Sequence, residues 1–116
     1  MGLWIAASIV IRSSATLAET AAKVAEAFGI CFSPDKSGRY EEYPAYSARA
    51  LGLELAILGA PSPEYDLDKT PEPEFYLLAT TLSYPEGPLQ EIDLSEHLVT
   101  VLKTRTDLGC WHNTAE

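Results

Sequence analysis

"LWIAASIVIR", residues 3–12, decides the fold. Its β-branched and apolar residues fall on both sides of a two-residue alternation, so neither face is reserved for water. Such a run is expected of a central strand covered on each side. A secretion signal places Lys or Arg ahead of its apolar run, whereas the nearest cation here, Arg12, follows it. The run is too short to span a bilayer, and Ala6 stands where myristoylation requires Ser or Thr. A cytosolic (cytoplasmic) protein whose first residues form a buried strand is expected.

Working outward, Thr16-Leu-Ala-Glu19 has the spacing of a capping box, in which each side chain satisfies a backbone N–H at the other end. Leu17, Ala21, Val24, Ala25 and Phe28 follow at helical spacing, with Gly29 placed for a left-handed C-cap. "ICF" (30–32) reads as a short strand and "SPDKSGR" as a turn. Pro44 suits a first helical position, so "PAYSARAL" closed by Gly52 predicts a two-turn helix. Residues 53–60 and 75–84 predict two strands that pair antiparallel across the intervening loop. That loop, 61–74, holds four prolines and five acids and is expected to be exposed and stiff. "PEGPLQEI" predicts a turn, Asp93 caps a last helix to about Arg105 (a strand remains open here), and the tail folds Trp111 back onto the body.

The predicted order is β-α-β-α-β-β-α in a single globular domain, 1–116. It gives an α+β fold with about three helices packed on a small, mostly antiparallel sheet. The chain has 116 residues, 47% hydrophobic and 22% charged, enough to bury one core. Two distant cysteines, Cys31 and Cys110, make no disulfide framework.

The net charge of −9 is unevenly placed. Residues 40–96 carry twelve acids against Arg49 and Lys69, a net −10, and the remainder is +1. Such a field repels nucleic acid and favours basic partners.

Several patterns touch on chemistry. "DLDKT" (66–70) resembles the D-x-D-x-T motif of haloacid-dehalogenase-like phosphatases, in which two aspartates work around magnesium. That motif follows a buried strand, whereas "PSPEY" precedes this one, so an acidic loop is the expectation. Cys110 and His112, with His97 or Cys31, provide at most one short-spaced ligand pair, short of a structural zinc site. Glu41 and Glu42 are adjacent and point apart, which does not suit paired acid–base work. With no glycine-rich phosphate loop and no basic–aromatic stripe, no cofactor, catalytic residue or metal ligand is expected, and neither nucleic acid nor membrane is an expected partner. A small metal-dependent hydrolase using Asp66/Asp68 or Cys110/His112 is the alternative reading.

The expected binding residues surround "YEEYPAY" (40–46). Tyr is rigid and amphipathic and is enriched in recognition surfaces. Tyr40, Tyr43 and Tyr46 step by three, which on a helical turn gives them one side. Asp35, Glu41 and Glu42, with Glu64, Tyr65, Asp66 and Asp68 of the second loop, would surround them. An aromatic patch with an acidic margin suits Lys and Arg through cation–π contacts and salt links. A short, acidic α+β chain with such segments resembles the immunity proteins of bacterial polymorphic toxin and contact-dependent inhibition systems. That resemblance implies a non-enzymatic antitoxin that blocks a basic toxin domain, such as a nuclease, with carboxylates. Tyrosines meeting across a homo-oligomer are a third possibility.

Overall fold

The computed structural model describes residues 2–37, 40, 43–59, 74–82 and 86–113. In chain order these form β1 (Gly2–Arg12), α1 (Leu17–Phe28), β2 (Ser33–Pro34), β3 (Ala45–Ala50), β4 (Leu53–Leu58), β5 (Glu74–Thr81), β6 (Leu89–Asp93), α2 (Ser95–Arg105) and β7 (Gly109–His112). The strands make one sheet in the order β2-β3-β4-β5-β1-β6, and β7 also pairs with β1. Every pairing is antiparallel except β1 with β6. The architecture is α+β, with two helices among the described residues rather than three.

β1 is central, as its apolar density predicts. One edge pairs with β5 along Ala6–Arg12. The other is shared: β6 takes Gly2–Ala6 and β7 takes Ile9–Arg12. Ser8 lies in the gap between them. There its amide donates to Ser95 Oγ at 2.9 Å and its carbonyl accepts from Asn113 N at 2.9 Å, so the ladder stays satisfied.

Ile9 and Ile11 of β1, Ile57 of β4 and Leu77 of β5 point to one face. They pack against Ala21, Val24 and Ala27 of α1 and Leu102 of α2, forming the main core. Both helices therefore cover the same face. α1 has the predicted capping box, with Glu19 N donating to Thr16 Oγ1 at 3.1 Å and Thr16 N to Glu19 Oε1 at 3.0 Å. It ends at Gly29 with φ 70°.

The segment predicted as a helix from Pro44 is strand β3. Tyr46 and Ala48 lie opposite Ile57 and Leu55 of β4, while Ser47 and Arg49 take the other face. Leu51 and Gly52 join the two strands with φ 55° and 77°. Positive φ at both turn residues is the signature of a tight hairpin whose twist matches its strands. The glycine expected to cap a helix turns a hairpin instead. Pairing with β4 overrides the alanine-rich propensity of the segment.

Three smaller expectations are also corrected. The strand near residue 30 is displaced to Ser33–Pro34, two residues at an edge where proline loses no ladder bond, while Ile30 and Phe32 pack on the core. Residues 89–92, predicted within a turn, form β6 together with Asp93, and its Gln90 and Glu91 are exposed as in a protected edge strand. The tail residues 109–112 form β7, which does bring Trp111 back onto the body. α2 starts at Ser95 with Leu94 in the cap position. Asp93 makes no capping box but accepts the Ser95 amide at 2.8 Å.

Candidate partner-binding surface

The face of the sheet opposite the helices carries a cross-strand row: Ala45, Leu58, Tyr76, Val10 and Trp111, each register partner to the next. Leu58 and Val10 are buried, Tyr76 is half-buried and Trp111 is 39% exposed. One step toward the sheet end, Arg12 and Glu74 are also register partners. The Arg12 guanidinium donates to Glu74 Oε2 at 2.8 Å and sits 5.1 Å above the Trp111 ring centre. Its charge is thereby placed between a carboxylate and the negative face of an indole.

The same end of the sheet holds the roots of both acidic segments. Asp35 N donates to Ala45 O at 2.9 Å, and Gly59 N donates to Pro44 O at 2.8 Å. Leu58, beside Gly59, lies between Ala45 and Tyr76 in register. The residues flanking the 38–42 stretch and those flanking the 60–73 stretch are thus neighbours on adjacent strands.

Of the predicted binding residues, Glu41, Glu42, Glu64, Tyr65, Asp66 and Asp68 lie outside the described residues. Asp35 is half-buried and its Oδ1 accepts from Ser37 N at 2.7 Å and Ser37 Oγ at 2.6 Å, closing a tight turn. Tyr43 is 39% exposed, and its amide donates to Tyr40 O at 3.0 Å. Tyr40 is half-buried, with its hydroxyl donating to Glu54 Oε2 at 3.1 Å. Tyr46 packs against the helix-side core. The three tyrosines do not share one side of a helical turn, because residues 45–50 are extended and Tyr46 alternates onto the covered face.

Glu54 holds a buried carboxylate on the helix-free face. Its side chain is 8% exposed, and Oε1 accepts from Arg49 Nε at 3.4 Å while Oε2 accepts from Tyr40. Burial of a charge demands such partners. The Tyr40 bond also ties Tyr40 to β4.

Trp111, Tyr76 and Arg12 were absent from the expected binding residues. The available signal was the alternation along β1 and β5, which sends Val10, Arg12, Tyr76 and Glu74 to one face once their pairing is known.

Of the residues of the alternative hydrolase reading, Asp66 and Asp68 lie outside the described residues, and Cys110 and His112 are engaged in the fold. Cys110 is buried in the helix-side core with Sγ 3.8 Å from Val99 O, and burial pushes its thiol up, opposite to the activation a nucleophile needs. His112 Nε2 lies 3.2 Å from Asp93 Oδ2. Asp93 is held below the usual carboxylate range, first by the Ser95 hydroxyl and amide and to a smaller extent by His112. The Ser95 hydroxyl is buried and accepts the Ser8 amide, so this Ser–Asp–His grouping closes the gap between β6 and β7. Cys31 is exposed, and among the described residues no group of three or more His, Cys, Asp or Glu is placed to hold a metal ion. Among the same residues, no helix is long and apolar enough to cross a membrane.

No protein family, curated sequence or solved structure matches this chain.

Proposed function

We propose that this chain is a non-enzymatic binding protein of the immunity type, which neutralises a basic toxin domain through the acidic end of its sheet. The observation that supports it is the common rooting of the two acidic segments. Asp35, Pro44, Gly59 and Glu74 flank them, and the bonds Asp35 N to Ala45 O and Gly59 N to Pro44 O join β2, β3 and β4 there. Residues 60–73 contribute Glu64, Asp66, Asp68 and Glu72 against Lys69, and Glu41 and Glu42 belong to the other segment. Exposed Tyr43 and Trp111 supply aromatic surface at the same end. Charge pairs desolvated in such an interface are worth about 1.5–7 kcal/mol in coupling energy, and rim charges speed encounter.

The test begins with the products of the genes beside the one encoding this chain. A neighbouring product with a basic domain is co-purified with the wild-type chain and with a variant carrying Glu41→Lys, Glu42→Lys and Asp66→Lys. A complex that forms with the first and is lost with the second supports the reading. No basic neighbour, or equal recovery of both, contradicts it.

A further inference from the structure

A concavity lies on the helix-bearing side, between α2, the C-terminal end of α1 and the β3–β4 hairpin. It has a volume of about 370 Å³, and its walls include Phe28, Ile30, Leu53, Leu55, Leu98 and Val101. Small-molecule pockets run from roughly 300 to 1,000 Å³, so this cleft is large enough for a ligand. His97 and Arg105 are the two ionisable side chains that line it. They stand on the same stripe of α2 as Leu94, Leu98 and Val101, as residues three and four apart do on a helix.

Arg105 also borders an adjoining polar cleft with Lys23, Glu26 and Asp107. There Lys23 is paired with Asp107 at 3.2 Å, and Arg105 forms no ion pair with any described residue. Leu51 also lines the apolar cleft. It is 98% exposed and held at φ 55°, a conformation uncommon for a bulky side chain. The cleft thus has a mostly apolar lining, the exposed Leu51, and on its border a guanidinium with no ion pair among the described residues.

We infer that this cleft binds a medium-chain amphiphile with a carboxylate head, the chain lying along Phe28, Leu53, Leu98 and Val101 and the carboxylate on Arg105. A guanidinium forks onto a carboxylate with two parallel N–H bonds, which selects an anionic head over a neutral or cationic one. At about 30 Å³ for each water-sized group, the volume holds a chain of roughly twelve carbons.

The test is calorimetric titration of the full chain with octanoate, decanoate, dodecanoate and uncharged dodecanol, all below their aggregation concentrations. One-to-one binding is expected, tightening about fourfold per added methylene up to dodecanoate. Arg105→Gln should weaken dodecanoate at least fivefold and leave dodecanol unchanged. Amide resonances of Leu51, Val101 and Arg105 should shift on binding in the wild-type chain, a readout that needs no folded variant. Absence of saturable binding, shifts confined to the Trp111 face, or an Arg105→Gln chain that binds dodecanoate as tightly as the wild type would overturn the assignment.

Discussion

The amide of Gly59 donates to the carbonyl of Pro44 at 2.8 Å, and this bond joins the strands from which the two acidic segments depart. The approach is tight enough that an added side chain would push its neighbours by a few tenths of an ångström. A Cβ on Gly59 would lie 3.2 Å from Pro44 Cγ and 3.3 Å from Leu17 Cδ2. Gly59→Ala is therefore expected to destabilise the fold by about 1–2 kcal/mol, as overpacking does. Urea unfolding checks this, and an unchanged midpoint would mean that the contact yields at no cost.

The Tyr40–Glu54 bond gives a second prediction. Tyr40→Phe removes one donor from a buried carboxylate and should cost about 1–3 kcal/mol. Arg49→Ala should cost less, within about 1 kcal/mol, because the arginine side chain is 71% exposed and its bond is long at 3.4 Å. A double-mutant cycle in urea separates the two contributions.

Leu51→Asn is expected to stabilise the chain. Leu51 is in the left-handed region at φ 55° and 98% exposed, so it buries almost nothing in return for its strain. Asparagine tolerates that region and is favoured in this hairpin position, for a gain of roughly 0.5–1 kcal/mol. Loss of stability in thermal unfolding would contradict the hairpin geometry.

Asp93 sets a pH dependence. Its carboxylate accepts from Ser95 in the folded chain and is held below its ordinary range. A depressed folded pKa gives stabilisation that is present above the unfolded pKa and lost as pH falls through the folded one. Asp93→Asn should thus be less stable than the wild type at pH 7, with the difference closing toward pH 2. The carboxylate is half exposed, so solvent keeps the effect small. A constant difference across that range would show that the carboxylate's charge is not what matters at this junction.

Elements with long, unbroken patterns were legible in the sequence. β1 declared itself by apolar residues on both faces, and α1 by Thr16, Glu19 and Gly29 at both caps. β3 was not legible as a strand, because Pro44 and Gly52 bracket seven residues that suit either period. The positive φ of Gly52 fits a hairpin as well as a helix end. β6 lacked a β-branched run, and its pairing with β1 is made after a long separation in sequence. For the candidate surface, the acidic segments were visible as charge and proline. The adjacency of their roots was not, since it depends on β3 and β4 pairing as a hairpin. The stack of Arg12 on Trp111 depends likewise on β7 finding β1.

The most direct test is the salt dependence of binding between this chain and a basic domain encoded beside it, measured for the wild type and for Glu41→Lys/Glu42→Lys/Asp66→Lys. The account predicts tight wild-type binding that weakens as salt rises, and a loss of about 100-fold or more in the variant with its folding cooperativity intact. Binding of the variant within twofold of wild type, with the same salt response, would contradict it.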